Sequence, residues 1–164
     1  MLQLTTSPYV RELLYRKAQG KKIEAEYEKK IATIFPNNNI VKIDLPETDD
    51  IIERAKSTKW IQIKKLNLNS FRDCLSLFTS ETYHKELFVL IDEDWKYCGA
   101  IKTSKATQIN PDFSFEESTS DELRIFTSDF STQITIDYFS DEKSGPYECA
   151  IKKQSRPQAL PLSH

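Results

Sequence analysis

The residues with the greatest potential for chemistry are carboxylates, and they are concentrated in segment 111–142. This segment carries nine acidic side chains against the single base Arg124, a net charge of −8. The nine are Asp112, Glu116, Glu117, Asp121, Glu122, Asp129, Asp137, Asp141 and Glu142. Apolar residues alternate through the same segment, as in strands that bury one face, so we expect the carboxylates on loops and on the other face. There their charges add into a negative field that attracts a cationic partner.

We interpret this segment as a docking surface for a basic protein. Charge would steer the encounter, and aromatic side chains buried by the partner would set the lifetime of the complex. Phe130, Phe139 and Tyr147 are the aromatic candidates, and the predicted partner-binding set is the nine carboxylates with Phe130 and Phe139. The alternative is that the acidity serves only solubility and keeps strand edges from pairing.

No recognisable catalytic signature is present, so we expect a protein that is not an enzyme and that needs no cofactor or metal. The three glycines are isolated, which excludes a phosphate-binding loop. His84 is the sole internal histidine, so a second imidazole is lacking for a zinc site or a cysteine nucleophile. Asp92, Glu93 and Asp94 lack the spaced ligands and the glycine of a calcium loop, which predicts a solvated turn.

A metal-dependent enzyme, or a subunit of one, is the alternative from a different class. It would use scattered carboxylates such as Asp92, Asp94, Glu116 or Asp137. Acidic pairs near residues 116–122 could also supply an acid and a base for glycoside chemistry, but every acidic chain offers such pairs. A structural or regulatory interaction domain, whose acidity serves only solubility, is the third possibility.

The N-terminal part through Phe35 is basic, with seven bases and four acids. Glu26 lies four residues from both Lys22 and Lys30, a spacing typical of pairs along a solvated helix face. The isoelectric point of about 5.8 lies well below that of nucleic-acid-binding domains. We therefore expect no direct nucleic-acid partner.

The three cysteines, Cys74, Cys98 and Cys149, are an odd number without CxxC spacing, which predicts buried thiols in a reducing compartment. The start of the sequence lacks the basic and apolar blocks of a secretory signal, and no apolar run approaches the ~20 residues that span a bilayer. These features predict a cytoplasmic protein without a membrane partner.

Periodicity predicts helices mainly in the first half of the chain. Ser7 and Pro8 suit the start of a helix whose apolar stripe extends to Ile34, with Gly20 expected to bend or divide it. Alternation at 41–45 and 60–66 predicts two strands. Asp49 and Asn69 are expected to cap the helices that follow these strands.

A sheet is predicted from residue 86 onward. Residues 87–91 form an apolar run typical of a central strand, and residues 95–101 are expected to return as its hairpin partner. Further strands are predicted around 113–115, 123–125, 134–138 and 147–151. The result is one α+β domain over residues 1–153, with N-terminal helices packed on one face of a mainly antiparallel sheet, and a mobile tail at 154–164. The oligomeric state is left open.

Two segments of this sheet region resemble a known class of protein. They are Glu-Leu-Phe-Val-Leu-Ile-Asp-Glu-Asp-Trp at 86–95 and Glu-Leu-Arg-Ile-Phe-Thr-Ser-Asp-Phe-Ser at 122–131, leading into 134–139. The pattern resembles small bacterial immunity proteins that act against contact-dependent or polymorphic toxins. This resemblance implies a non-catalytic, cytosolic inhibitor that covers the active cleft of a cognate toxin, often a nuclease. A nuclease cleft is positive because it binds phosphates, which agrees with an acidic binding surface.

Overall fold

The computed structural model describes residues 7–82 and 84–155, which form four α-helices, one short 3₁₀ helix (Ala106–Gln108) and seven strands. The helices are α1 (Pro8–Ile34), α2 (Leu45–Ser57), α3 (Phe71–Glu81) and α4 (Trp95–Cys98). The strands are β1 (Ile40–Lys42), β2 (Trp60–Leu68), β3 (Leu87–Ile91), β4 (Ile101–Thr103), β5 (Glu122–Thr127), β6 (Thr132–Tyr138) and β7 (Tyr147–Gln154). The predicted α+β class is confirmed.

The strands form one sheet in the order β1-β4-β3-β5-β6-β7-β2, and every pairing is antiparallel. The run at 87–91 is an interior strand, as its continuous apolar character predicts. Strands β5, β6 and β7 follow one another as a meander. The long strand β2 closes one edge and contains a bulge between Gln62 and Lys64, a device that hinders pairing with a further strand.

The main core lies between one face of the sheet and the helices α1 and α3. Tyr27, Ile31 and Ile34 from α1 meet the strand residues that alternate inward, including Ile125 and Ile134. A smaller core covers part of the opposite face, where α2 places Ile51 against Leu90, Phe126 and other side chains. No other helix of residues 7–82 and 84–155 covers the rest of that opposite face, which we call the open face, and it positions the candidate site described below.

The helix α1 is continuous through Gly20, so the expected division there is wrong. Gly20 instead lies where α1 crosses α4, and a Cβ at this position would collide with the carbonyl oxygen of Tyr97. Its lack of a side chain allows the two backbones to approach.

The caps of the next two helices differ from prediction by one or more residues. Asp44, not Asp49, caps α2 and accepts a hydrogen bond from the amide of Glu47 at 2.9 Å. Ser70, not Asn69, caps α3 through the amide of Asp73 at 3.1 Å. Asp49 therefore lies inside α2, with its carboxylate free for another partner.

Two predicted strands are absent from the described chain. The segment after the turn at 92–94 forms the helix α4, which ends at Gly99 with a φ of 91°, and only residues 101–103 pair as β4. Phe113 and Phe115 lie in turns and pack edge to face on Phe71 at 5.8 Å and 5.2 Å between ring centroids. The alternation of Phe113 and Phe115, which suggested a strand, therefore reflects aromatic packing in a loop.

Cys74 and Cys149 are joined by a disulfide between α3 and β7, with their Cα atoms 6.2 Å apart. The prediction of buried thiols is therefore wrong for these two residues, while Cys98 is free. Burial raises the pKa of the Cys98 thiol to about 11, which makes it a poor nucleophile.

The tail predicted from residue 154 falls almost wholly outside the described residues. Gln154 itself belongs to β7, and the amide of Ser155 donates to the carbonyl of Lys59 at 2.8 Å. No helix within the described ranges is long and apolar enough to cross a membrane.

Candidate binding surface

Three carboxylates lie side by side across the open face of the sheet. In the strand register Glu122 is opposite Asp137, and Asp137 is opposite Glu148. We call Glu122, Asp137 and Glu148 the acidic row. Their neighbours Leu123, Ile136 and Cys149 point to the main core, which places the row on the other face. Like charges directly opposite one another destabilise a sheet, so the row costs stability.

The two outer members of the row have bases beside them, and the central one does not. Glu122 pairs with Arg124 at 3.2 Å, and Glu148 pairs with Lys65 at 3.1 Å. Asp137 forms no ion pair with any base in residues 7–82 and 84–155. The negative charge that remains is centred on Asp137.

The environment of Asp137 disfavours its ionised form. Partial burial, together with the charges of Glu122 and Glu148, raises its pKa to about 6, although Arg124 opposes the shift. Both causes follow from the position of Asp137 in the middle of the acidic row. A cation that approaches Asp137 would relieve this repulsion.

The pKa of Asp137 gives a prediction on stability. Because the folded state raises this pKa above its ordinary value, the protonated form stabilises the fold at low pH, and this contribution is lost as pH rises from about 4 to about 6. We expect Asp137→Asn to raise the free energy of unfolding at pH 7.5 by about 1 kcal/mol, allowing for solvent screening of a half-buried group. Urea unfolding at pH 7.5 and pH 4 measures this.

At pH 4 the advantage of Asp137→Asn should vanish. The matched control is Asp141→Asn, which removes a carboxylate from the exposed loop after β6 and should change little at either pH. A stabilisation of equal size at both values would contradict the crowding of charge at Asp137.

The acidic row borders a cleft of 480 Å³ between α2 and the open face. Trp60 and Phe126 form its apolar part, Gln133 and Thr135 contribute polar groups, and the bases Lys56, Arg124 and Lys152 also line it. The indole N–H of Trp60 donates to the carbonyl of Ala55 at 3.0 Å, which fixes the ring at one wall. The cleft was not foreseen, because it depends on how α2 sits over the sheet.

Several of the other predicted residues lie at the same end of the sheet as the acidic row. Asp121 precedes β5, while Phe139, Asp141 and Glu142 lie in the loop that joins β6 to β7. Phe139 is 43% exposed, which agrees with an aromatic anchor for a partner. Glu116 and Glu117 are exposed in the loop before β5.

Three predicted residues do not join this surface. Phe130 is 2% exposed and belongs to the smaller core, with Arg54 over its ring at 4.5 Å, so its expected role as an exposed anchor is wrong. Asp129 lies in the turn between β5 and β6, at the far end of these strands, and pairs with Lys85 at 3.2 Å. Asp112 pairs with Arg72 of α3 at 2.6 Å.

Asp129 has a structural function in that turn. Its carboxylate accepts hydrogen bonds from the hydroxyl of Thr127 at 2.7 Å and the amide of Ser131 at 3.0 Å. Burial would raise its pKa, but the hydrogen bonds from Ser131, Thr127 and Lys85 hold it well below its usual range. These bonds compensate the positive φ of 56° at Phe130.

The turn at 92–94 takes part in a largely buried ionic contact. The prediction of a solvated turn is therefore wrong for Asp92. Lys30 of α1 bridges Asp92 and Asp94 at 2.7 Å and 2.9 Å. The other oxygen of Asp92 accepts from the amides of Asp121 and Glu122 at 2.8 Å and 3.0 Å. Burial acts to raise the pKa of Asp92, and these partners outweigh it and lower the pKa.

Lys30 is consequently unavailable to Glu26, which pairs with Lys29 instead at 3.4 Å. Within the described residues, no three His, Cys, Asp or Glu side chains are grouped as metal ligands. The carboxylates suggested for a metal-dependent enzyme are thus separated: Asp92 and Asp94 bind Lys30, and Asp137 lies in the acidic row.

Comparison of the chain with protein-family models, with curated proteins and with solved structures found no match in any of the three.

Proposed function

We propose that this chain is a non-catalytic binding protein that uses the acidic row to hold a basic protein. The observation that supports this most is the register that sets Glu122, Asp137 and Glu148 opposite one another on an open sheet face. A lysine or arginine of a partner would pair with Asp137, because Glu122 and Glu148 on either side of it already pair with bases of this chain. Charge complementarity of this kind speeds association and fixes register.

The resemblance to immunity proteins suggests the class of partner. In this proposal the partner is a cognate toxin, most simply a nuclease, whose phosphate-binding cleft is positive. The exposed Asp121, Asp141 and Glu142 extend the negative field around the row, and Phe139 supplies a ring that a partner can bury. The chain would occlude the toxin and would change no covalent bond.

A cell-protection assay tests this function. We expect the wild-type protein to protect bacteria that express a basic nuclease toxin from the same genome, and to co-purify with that toxin. The variant Glu122→Gln/Asp137→Asn/Glu148→Gln should lose protection. A matched variant, Glu24→Gln/Glu26→Gln/Glu47→Gln, removes the same charge from exposed helix positions and should protect fully. Protection by both variants would contradict the proposal.

The raised pKa of Asp137 also suits a general acid, so an enzyme is the second candidate function. Its cleft of 480 Å³ lies within the size range of small-molecule sites. The two functions differ in what Asp137→Asn does: loss of a turnover with a pH profile near 6 favours an enzyme, whereas weaker partner binding without any turnover favours the binding protein.

A further inference from the structure

A second cleft, larger than the first, lies between the N-terminal half of α1, α2 and α4. Its volume is 670 Å³, which suits a ligand or an inserted side chain. Four aromatic rings line it: Tyr9 and Tyr15 from α1, and Trp95 and Tyr97 from α4. Tyr15 is 61% exposed and Tyr9 is 45% exposed, so their rings present open faces.

The floor of this cleft is a closed network of charged and polar groups. Arg16, only 9% exposed, donates two hydrogen bonds to the carboxylate of Asp49, both at 2.9 Å, and a third to the carbonyl of Lys96 at 2.6 Å. The hydroxyl of Tyr9 donates to the same carboxylate at 2.7 Å. The network fixes α1, α2 and α4 relative to one another, and its own charges are satisfied.

The rim of the cleft carries negative charge that is not compensated in this way. Glu12 of α1 and Asp50 of α2 are exposed, and neither forms an ion pair with a base in the described chain. The two lysines that line the cleft, Lys56 and Lys96, each pair with the glutamate three residues earlier. Aromatic faces beside free carboxylates are the chemistry that recognises cations. One ring already shows this tendency, since the ammonium of Lys96 lies 5.8 Å from the centroid of Trp95.

We propose that this aromatic cleft binds an arginine side chain of a basic protein. Arginine fits better than lysine because its planar guanidinium stacks on aromatic rings while it donates to carboxylates. This inference rests on the proposed function for the class of partner only, because the residues differ from the acidic row. Ile52 and Lys56 of α2 line both clefts, so one partner can reach both from the same side.

Each tryptophan reports on one cleft, which permits a separate test of each. Trp95 lines the aromatic cleft, and Trp60 lines the cleft beside the acidic row. The probe is the blocked peptide acetyl-Gly-Arg-Gly-amide, titrated at low salt while the two indole N–H signals are followed by NMR. The reference probe has citrulline in place of arginine, which keeps the shape and removes the charge.

We expect the arginine peptide to shift the Trp95 signal saturably and the citrulline peptide to leave it in place. Glu12→Gln/Asp50→Asn should weaken the apparent affinity about fivefold, as the loss of two exposed charge contacts predicts. The control Glu24→Gln/Glu26→Gln should bind as wild type.

Equal shifts with both peptides, movement of Trp60 alone, or no saturable shift would each overturn the inference. A failure of the proposed function is distinguishable, because the variant Glu122→Gln/Asp137→Asn/Glu148→Gln should still bind the arginine peptide at Trp95. Retention of full affinity by Glu12→Gln/Asp50→Asn would also count against the cleft as a cation site.

Discussion

Removal of the Cys74–Cys149 disulfide is expected to lower the free energy of unfolding by about 4 kcal/mol. The bond joins α3 to β7 across a sequence separation of 75 residues, and the chain-entropy model assigns a stabilisation of this size to such a loop. Both cysteines are buried in the main core, so Cys74→Ala/Cys149→Ala should add a packing loss to the lost crosslink. Urea unfolding with and without reductant measures the effect.

A thiol count provides the companion measurement. In denatured protein purified without reductant, we expect one reactive thiol, Cys98, and three after reduction. The control Cys98→Ser should keep the wild-type response to reductant. Three reactive thiols before reduction, together with a urea unfolding midpoint that does not change when reductant is added, would contradict the disulfide.

The redox state of this pair in cells also bears on the compartment. Cytoplasmic location was predicted in part from the assumption of three thiols, and disulfides are rare in a reducing cytosol. The cytoplasm therefore stays a prediction. Trapping the thiols in intact cells decides it, because a reduced pair agrees with the cytoplasm and an oxidised pair with an oxidising compartment.

Replacement of Lys30 by methionine is expected to destabilise the protein by about 3 kcal/mol, the second largest effect. Lys30 is 13% exposed, and the two carboxylates it bridges, Asp92 and Asp94, are 9% and 23% exposed. Without the ammonium these two carboxylates would remain in a site of low solvent access, and breaking such a buried pair costs several kcal/mol. The contact also fixes α1 to the start of β5 through Asp92.

The neighbouring residue offers a matched control for this variant. Lys29 is 74% exposed, and its contact with Glu26 at 3.4 Å is an exposed pair of little value. Lys29→Met should therefore change the urea midpoint by much less than Lys30→Met. Similar midpoints for the two variants would show that the ionic contact does not stabilise the fold.

Strand periodicity in this sequence predicted much of the sheet, because five of the seven strands alternate or form apolar runs. β2, β3, β5, β6 and β7 all lie where the pattern placed them. The helix α4 was missed because Trp95–Cys98 has only four residues, and a segment this short does not distinguish strand from helix by period. The loop containing Phe113 and Phe115 was misassigned for a different reason, because the aromatic packing of these rings on Phe71 produced the alternating spacing of a strand.

The candidate surface was predictable only in part. Alternation correctly placed Glu122 and Asp137 on the polar faces of their strands, but the register that aligns them with Glu148 comes from pairing between strands. Glu148 was not among the predicted residues, although its position next to Cys149 in an alternating run could have suggested it. The long-range partners of Asp112, Asp129 and Asp92 have no local signal at all.

The two clefts were missed because they depend on how helices lie against each other and on the sheet. Arg16 and Asp49 are 33 residues apart in the sequence. The carboxylate of Asp49 can accept from Arg16 because Asp44, and not Asp49, caps α2. No local pattern marks Arg16 as buried, because its burial comes from its contacts with α2 and α4. The sequence does not distinguish Tyr9 and Tyr15 from tyrosines of the core. Only their exposure in the structure does so.

Calorimetric titration with a basic nuclease toxin from the same genome tests the acidic row most directly, at about 50 mM and about 300 mM salt. We predict that wild-type binding weakens as salt rises, and that Glu122→Gln/Asp137→Asn/Glu148→Gln loses at least about tenfold in affinity at low salt, together with much of that salt dependence. Glu24→Gln/Glu26→Gln/Glu47→Gln should match the wild type. Equal affinity and equal salt dependence in the acidic-row variant and the wild type would contradict the account.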